Sequence, residues 1–315
     1  MPERQPDSQR STAPDRSLIV ALNAGPVLLD GGLATELAAA GHDLTDQLWS
    51  ARLLADAPDA IVAAHLAHLR AGASVITTAS YQATAVGFAR RGIDPAGTAR
   101  LLHRSVVLAR QSIRQARDEG ISRPLWVAAS VGPYGAMLAD GSEYQGRYGL
   151  GVAELVRFHR DRMAVLAAAG PDVLALETVP DTVEAEALIS ALDGLGVPAW
   201  LSYTVDRGMT RAGQSLADAF GLARAVESII AVGVNCCAPQ EVADAVRIAA
   251  ATTGKLVVAY PNSGERWDAG ARDWRGQSTI SGPVVDGWIR DGARLVGGCC
   301  RITPAQLADI GARLR

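Results

Sequence analysis

The stretch PDVLALETVPDTVEAEALISALDGLGVPAWLSY, residues 171–203, contains the repeating unit that decides the fold. Two short apolar runs, Asp172–Leu176 and Ala199–Tyr203, flank an amphipathic segment, Thr182–Gly194. A near-continuous apolar run is typical of a strand that is buried on both faces, as strands are in parallel sheets. A helix between two such strands makes the crossover that parallel pairing requires. The stretch therefore predicts a β-α-β unit with parallel strands.

The same alternation extends along the whole chain of 315 residues. Six further apolar runs predict strands at Pro26–Leu29, Ser74–Thr77, Leu125–Ser130, Ile229–Asn235, Lys255–Ala259 and Arg294–Val296. Seven further amphipathic stretches predict helices at Ala57–Ala71, Pro95–Glu119, Val152–Ala169, Ser215–Ala225, Pro239–Ala251, Ile280–Asp291 and Thr303–Leu314. Eight such units fit a closed (β/α)8 TIM barrel better than an open sheet, and no linker divides them. We predict a single α/β barrel domain over residues 18–315, preceded by a disordered polar tail over residues 1–17.

Composition and charge narrow the range of partners. The apolar content of 49% and charged content of 20% are ordinary for a globular protein, and the formal charge of −3 offers no basic surface for nucleic acid. No apolar run approaches the ~18 residues of a membrane-spanning helix. The polar start, with Glu3, Asp7 and Asp15 among its arginines, has the pattern of neither a secretory signal nor a transit peptide. We expect a cytoplasmic protein, a monomer or small homo-oligomer, that acts on small molecules and binds neither nucleic acid nor membranes.

Two vicinal cysteine pairs, Cys236-Cys237 and Cys299-Cys300, follow the sixth and eighth predicted strands. The active site of such a barrel lies at the C-terminal ends of the strands, and only one strand separates these two ends. Three thiolates that meet there would form an S3 site with an open fourth position, as expected of a catalytic zinc. Successive strand residues point to opposite faces, so one cysteine of the first pair faces the pocket. The second pair can ligate as a whole only if Gly297-Gly298 lets the backbone turn. The alternative is that these cysteines are buried as small apolar side chains.

The five histidines do not compete as ligands, because none of them follows a predicted strand. His65, His68, His103 and His159 lie in helical patterns of the outer ring, and His42 lies in a polar loop. We expect each to be hydrogen-bonded or to face solvent.

Acids and glycines at other strand ends are candidates for substrate binding. Asp30 and Glu177 follow apolar strands, where a carboxylate is costly to bury unless it is paired, and two such acids suit the ammonium of an amino acid. Asp30 could equally cap the following helix. Gly31-Gly32 could present backbone amides to a substrate carboxylate. Aromatic side chains of predicted loops could enclose a cationic donor or simply pack on the barrel mouth; these are Trp49, Tyr134, Trp267 and Trp274.

Seven strings of the chain resemble those of the homocysteine S-methyltransferases and occur in the same order. They are LLDGGLATEL (28–37), ITTASYQAT (76–84), SVGPYGAMLADGSEYQGRYG (130–149), LALETVPD (174–181), GVNCCAP (233–239), YPNSGERWD (260–268) and GGCCR (297–301). The resemblance spans about Val27 to the C-terminus, and the pairing of GVNC with GGCC is its most specific part. It implies that Cys236, Cys299 and Cys300 bind Zn²⁺, that Cys237 does not, and that Asp30 and Glu177 bind homocysteine. The further substrate contacts that we expect are Gly31, Gly32, Ser80, Tyr81, Tyr134 and Asn235.

The resemblance also implies a reaction, in which the thiolate of homocysteine attacks the methyl group of a positively charged donor to give methionine. Ser80-Tyr81-Gln82 and the loop GPYGAMLADGSEY (132–144) resemble the branch that uses S-methylmethionine, and the long C-terminal arm of the betaine-using branch is absent. We expect a sulfonium donor, S-methylmethionine first and S-adenosylmethionine second, over betaine. The alternatives are a betaine-using methyltransferase and a non-catalytic zinc or thiol-redox protein. A zinc hydrolase would need histidine or carboxylate ligands, and no histidine follows a strand.

Overall fold

Eight parallel strands form a ring in the computed structural model, which describes residues 17–46, 48–268 and 273–314. The strands are β1 (Val27–Leu28), β2 (Val75–Thr77), β3 (Trp126–Val131), β4 (Val173–Val179), β5 (Ala199–Tyr203), β6 (Ile229–Asn235), β7 (Leu256–Tyr260) and β8 (Ala293–Val296). Each strand pairs with the next one along the chain from β2 to β8, and β8 pairs with β1. An isolated parallel bridge between Leu29 and Val75 joins β1 to β2 and completes the ring. The predicted (β/α)8 barrel is confirmed.

Helices follow every strand and cover the barrel. They are α1 (Leu18–Ala24), α2 (Leu33–Ala39), α3 (Leu53–Asp56), α4 (Pro58–Arg70), α5 (Ala85–Ala89), α6 (Pro95–Asp118), α7 (Tyr134–Leu138), α8 (Val152–Ala168), α9 (Thr182–Leu192), α10 (Leu216–Gly221), α11 (Val242–Thr253), α12 (Gly282–Arg290) and α13 (Pro304–Gly311). All eight predicted helices are present, although α10 is shorter than predicted and a 3-10 turn precedes α11. The five that the sequence analysis missed, α1, α2, α3, α5 and α7, have seven residues or fewer. Among the described residues, no helix combines the length and the apolar character that crossing a membrane requires.

Local capping fixes where the longer helices begin. Proline occupies the first turn of α4, α6, α12 and α13, where its missing N–H would have no partner in any case. Asp94 caps α6 by accepting the amide of Gly97 at 2.6 Å. Thr303 and Gln306 form a reciprocal capping box at the start of α13. The capping box and the first-turn proline of α13 fix the start of the helix that follows β8, close in sequence to the second cysteine pair.

Apolar side chains pack in two layers, one inside the ring and one between the ring and the helices. The interior cluster includes Trp126 and Trp200, and it also contains Leu18 and Leu22 of α1. Because Val27, Ile230 and Leu256 at the starts of their strands pack on the same cluster, α1 covers the N-terminal end of the barrel. Residues 1–16 of the predicted tail lie outside the described part of the chain, and Ser17 directly precedes α1.

Two histidines of α4 differ from the prediction that each histidine is hydrogen-bonded or faces solvent. His65 and His68 are fully buried, and none of their ring nitrogens has a hydrogen-bond partner within the described residues. Burial lowers the pKa of His65 to about 3 and that of His68 to about 4, so both rings are neutral. Their burial arises because α4 packs against α2, α6 and β2 at once, which widens its inward face. His159 is buried but bonded to Glu184, and His103 is exposed, as predicted.

Candidate active site and metal centre

A cavity of about 1360 Å³ opens at the C-terminal ends of the strands, where the active site of a (β/α)8 barrel lies. Its lining includes residues at or directly after the C-terminal ends of β1, β4, β6 and β8. The side chains with evident chemistry among them are Asp30, Glu177, Cys236, Cys299 and Cys300. The fold thus brings together thiols and carboxylates that lie up to 270 positions apart in the sequence, from Asp30 to Cys300.

Three cysteine sulfurs meet in this cavity. The Sγ atoms of Cys236, Cys299 and Cys300 all lie within 4.8 Å of one another. Cys236 and Cys299 are joined by a disulfide, with their Cα atoms 5.6 Å apart, and Cys300 is free. In the reduced protein the three thiols fit a metal, because tetrahedral zinc with Zn–S bonds of ~2.3 Å places its sulfur ligands ~3.8 Å apart. Cys237 is instead buried among the apolar residues between barrel and helices, and burial raises the pKa of its thiol to about 12.

The backbone at Cys236 decides which cysteine of the first pair faces the cavity. Strand β6 ends at Asn235, and Cys236 adopts a left-handed conformation with φ of 47°. Its carbonyl accepts the hydroxyl of Thr204 at 3.1 Å, which holds the turn. The alternation of side chains along a strand predicted that only one of the two cysteines faces the pocket. The structure reaches the same separation of Cys236 and Cys237 through a turn instead.

The two glycines before the second pair are required for space rather than for an unusual backbone conformation. Neither Gly297 nor Gly298 has a positive φ, yet the sulfurs of both Cys299 and Cys300 reach the cluster. A Cβ atom on Gly297 would lie 2.7 Å from the carbonyl oxygen of Asp30, and one on Gly298 would lie 2.4 Å from the side chain of Ile302. The amide of Gly298 donates to the Asp30 carbonyl at 3.0 Å. The glycines therefore let the end of β8, with its cysteines, approach the segment that carries Asp30.

Asp30 is almost fully buried at the floor of the cavity. Its carboxylate accepts the amide of Thr77 at 2.6 Å and the hydroxyl of Thr77 at 2.9 Å. Desolvation raises the pKa of Asp30 to about 8, and the negative charge of Glu177 acts in the same direction against the Thr77 bonds. The alternative role of Asp30 as a helix cap is wrong, since Gly32 is the residue that precedes α2.

Glu177 is the second buried acid. It accepts hydrogen bonds from the hydroxyls of Ser130 and Tyr260, the latter at 3.0 Å. Burial raises its pKa to about 7, and these two bonds oppose the rise. Within the described residues neither Glu177 nor Asp30 has a cationic partner. Two buried carboxyls without a cation form a site that a ligand ammonium can complete.

Asn235 and Thr178 hold Glu177 in place. Thr178 has a φ of 59°, which strains a β-branched residue. The side-chain oxygen of Asn235 accepts the Thr178 amide at 2.7 Å, and its nitrogen donates to the Thr178 hydroxyl at 2.7 Å. Ser202 donates to the same oxygen at 2.8 Å. The expected substrate contact Asn235 is fully buried behind the lining and positions the backbone that follows Glu177.

In the glycine pair after β1 the amide of Gly32 is occupied, whereas the amide of Gly31 has no hydrogen-bond partner among the described residues. The N–H of Gly32 donates to the carbonyl of Ile302 at 3.0 Å, so it is not available to a substrate carboxylate. A Cβ on Gly31 would lie 2.6 Å from that same carbonyl oxygen. Both glycines line the cavity, and both permit close packing of the β1 and β8 loops.

The remaining predicted contacts divide between the lining and the layer behind it. Tyr81 lines the cavity and meets Trp49 edge-on, with ring centroids 6.3 Å apart. Ser80 lies behind the lining, where its hydroxyl donates to the Ser130 carbonyl at 2.7 Å. Tyr134 also lies behind it and packs on Phe158, 4.9 Å between centroids. Trp267 and Trp274 pair in a hairpin, and their side chains lie outside the described part of the structure.

Four polar residues that the sequence analysis did not select support the two acids: Thr77, Ser130, Thr178 and Tyr260. Each is a hydroxyl-bearing residue at or near the C-terminal end of an otherwise apolar strand. That position, in a chain already assigned as a barrel, is the signal that could have identified them.

Comparisons with known proteins agree with this geometry. The Homocysteine S-methyltransferase family profile matches residues 27–314. Homocysteine S-methyltransferase 2 of Zea mays is 42% identical over 301 residues, 91% of this chain and 89% of its own. Homocysteine S-methyltransferase of Escherichia coli (strain K12) is 44% identical over 294 residues, 91% of this chain and 94% of its own.

The solved structure of one relative has the same fold as this chain. The crystal structure of the metallated form of the homocysteine methyltransferase MmuM from Escherichia coli superimposes with a TM-score of 0.84 at 41% identity, covering 93% of this chain and 99% of that one. The profile, the relatives and the shared barrel confirm the resemblance of the motifs. The chain therefore belongs to the homocysteine S-methyltransferase family of enzymes.

Proposed function

We propose that this protein is a zinc-dependent enzyme that moves a methyl group from a sulfonium donor, S-methylmethionine or S-adenosylmethionine, to the sulfur of homocysteine. One observation carries the proposal: three clustered thiols and two buried carboxyls without a cation line the same cavity. Thiols suit a soft metal, and the carboxyls suit an ammonium. Homocysteine carries both an ammonium and a thiol, so it joins the two halves of the site.

Cys236, Cys299 and Cys300 are the residues that would hold the metal. Three soft sulfur donors with no oxygen or nitrogen donor in the group favour zinc over magnesium or calcium. Bound zinc would supply a Lewis acid that lowers the pKa of an incoming thiol. The Cys236–Cys299 disulfide removes two of the three thiolates, so the metal site requires the reduced protein.

Asp30 and Glu177 bind and orient the amino acid. Their raised pKa values mean that the free carboxyls hold protons near neutral pH, and an arriving ammonium favours the ionised forms. Thr77, Ser130 and Tyr260 fix the direction of the carboxyl oxygens. The homocysteine thiol gives up its proton to solvent, and the resulting thiolate sulfur is directed at the methyl carbon of the donor. As the new S–CH3 bond forms, the donor S–CH3 bond breaks and its electron pair stays on the donor, which leaves as a neutral thioether.

A sulfonium donor is supported by the motifs after β2 and β3 and by the aromatic wall of the cavity. Tyr81 and Trp49 present ring surface to the same cavity as the thiols. Aromatic faces attract cations, and a sulfonium held there keeps its positive charge away from bulk water. The donor class rests on the resemblance to the branch that uses S-methylmethionine, since betaine is a cation as well.

The test is methionine formation from homocysteine with S-methylmethionine, S-adenosylmethionine and betaine in parallel, using reduced and zinc-loaded protein. We expect kcat/KM for either sulfonium to exceed that for betaine. A preference for betaine would overturn the donor assignment. Asp30→Asn and Glu177→Gln should each weaken homocysteine binding by on the order of 2–5 kcal/mol while zinc remains, and Cys237→Ser is the matched control.

A further inference from the structure

Several charged side chains of the cavity lie outside the homocysteine site described above. Asp46 pairs with Arg91 and Glu265 with Arg301, whereas Glu143 and Arg211 form no ion pair within the described residues. Glu143 lies in the 3-10 turn Ser142–Tyr144 after α7, and Arg211 follows the hairpin strand Met209–Thr210 after β5. Both line the cavity that contains the thiols. Tyr144 directly follows Glu143, and the guanidinium carbon of Arg211 lies 5.4 Å from the centre of the Tyr144 ring. An acid and a base therefore face one cavity without forming an ion pair to each other in the described structure.

Glu143 carries an unsatisfied oxygen. Its Oε2 atom is buried and has no hydrogen-bond partner within the described residues. Desolvation raises the pKa of Glu143, and the neighbouring charge of Asp140 adds to the rise. A buried carboxylate oxygen without a donor is destabilising, and a bound cation with N–H groups relieves that cost.

The turn that carries Glu143 is held firmly against α7. Gly141 begins it with a φ of 87°, and a Cβ on Gly135 of α7 would lie 2.4 Å from the Glu143 amide nitrogen. The missing side chain of Gly135 therefore lets the turn sit directly on the helix. The carboxylate is placed by packing rather than by a freely moving loop.

Arg211 is tied to the metal-binding strand end through one side chain. Its Nε donates to the hydroxyl oxygen of Thr204 at 3.4 Å, and that hydroxyl donates to the carbonyl of Cys236 at 3.1 Å. The terminal nitrogens of Arg211 have no protein partner in the part of the chain that the structure describes. A guanidinium with two open nitrogens is suited to bind a carboxylate in a bidentate manner.

We propose that Glu143 and Arg211 bind the amino-acid head group of the methyl donor, Glu143 taking its α-ammonium and Arg211 its α-carboxylate. The inference rests on the proposed function, in which the donor is a sulfonium that carries an amino acid. Homocysteine already has Asp30 and Glu177 for its ammonium, so the further acid Glu143 in the same cavity matches the ammonium of the donor. Betaine has a carboxylate but no free ammonium, so it would leave Glu143 without a partner.

The test uses two donors that differ only in the α-ammonium: S-methylmethionine and 4-(dimethylsulfonio)butanoate. The wild-type enzyme should prefer S-methylmethionine. Glu143→Gln should lower kcat/KM for S-methylmethionine on the order of 30-fold and leave the deaminated donor almost unchanged. Arg211→Gln should lower kcat/KM for both donors, because both keep the carboxylate. The KM for homocysteine and the zinc content should stay at wild-type values, as they should in the control Glu186→Gln, an exposed acid on α9.

The other possible outcomes distinguish failure of this inference from failure of the proposed function. An equal loss for both donors in Glu143→Gln, or an increase in the KM for homocysteine, would overturn this inference while the proposed function stands. If the wild-type enzyme neither uses nor binds S-methylmethionine or S-adenosylmethionine, measured by turnover and by calorimetry, the proposed donor class is wrong and this inference fails with it.

Discussion

Replacing Asp30 by asparagine should make the ligand-free protein more stable at alkaline pH, although it damages substrate binding. Asp30 is 3% exposed and has no cation beside it. Asparagine has the same shape and can keep both contacts to Thr77, with its oxygen accepting the Thr77 amide and its nitrogen donating to the Thr77 hydroxyl. The substitution therefore removes a buried ionisable group without removing the hydrogen bonds that fix it.

The sign and the magnitude of this change in stability follow from the pKa of Asp30, which rises from its ordinary value of 3.8 to about 8 on folding. Between these values the folded protein holds one more proton than the unfolded chain, so stability falls as the pH rises. Each pKa unit corresponds to about 1.36 kcal/mol. Between pH 5 and pH 8 the wild type should lose roughly 3–4 kcal/mol relative to the asparagine variant, which has no such titration. For a domain of this size the loss is equivalent to several degrees in Tm, about 2–4 °C per kcal/mol.

The assay is chemical and thermal unfolding of the reduced, metal-free proteins at pH 5, 6.5 and 8. Asp161→Asn, an exposed position on α8, is the control and should follow the wild type at every pH. A stability difference between wild type and Asp30→Asn that stays constant from pH 5 to pH 8 would refute the reasoning, as would a difference that grows toward low pH.

Three further predictions concern the metal, the substrate and the glycine contacts. Serine in place of any one of the three clustered cysteines should abolish stoichiometric zinc, measured by elemental analysis, whereas Cys237→Ser should retain it; zinc retained by the former would show that the site lies elsewhere. Binding of methionine, which has no thiol, should release protons near pH 7, because the ammonium of methionine favours the ionised forms of Glu177 and Asp30. Calorimetry in buffers of different ionisation enthalpy measures this release, and zero release would contradict the prediction. Gly31→Ala should destabilise the fold by on the order of 2 kcal/mol, since its Cβ would lie 2.6 Å from the Ile302 carbonyl, whereas Gly25→Ala has open space and should fold normally in denaturant titrations.

The strands and long helices could be predicted because their sequence patterns report burial directly. The apolar run at β4 reads as a strand buried on both faces, and the structure buries all seven of its residues. Short helices such as α1 and α7 could not be predicted in the same way. A helix of five to seven residues is not stable on its own, so it forms only because its side chains find partners that are distant in sequence. The burial of His65 and His68 has the same origin, since it depends on what packs around α4.

The site could be predicted only where it follows from the position of strand ends. Cys236 and Glu177 follow the apolar strand runs closely, so the barrel assignment alone placed them at one end of the molecule. Glu143 and Arg211 lie in long connections, where no periodicity fixes the direction of a side chain. The role of Gly298 also depends on contact, because its need for space exists only when Ile302 packs against it.

The Asp30 side chain completes the hydrogen bonding between β1 and β2, which makes the site observable from one backbone amide. Strand β1 has two residues, and its ladder to β2 consists of the Leu29–Val75 bridge with the Ser74 amide bonded to the Leu28 carbonyl. Beyond that point the Asp30 carboxylate, rather than a backbone carbonyl of β1, accepts the hydrogen bond of the Thr77 amide. The strength of the Thr77 hydrogen bond therefore depends on the charge of Asp30. The nitrogen chemical shift of the Thr77 amide and its rate of deuterium exchange should follow the protonation of Asp30 and the arrival of an ammonium, and so report occupancy of the site from a single backbone position.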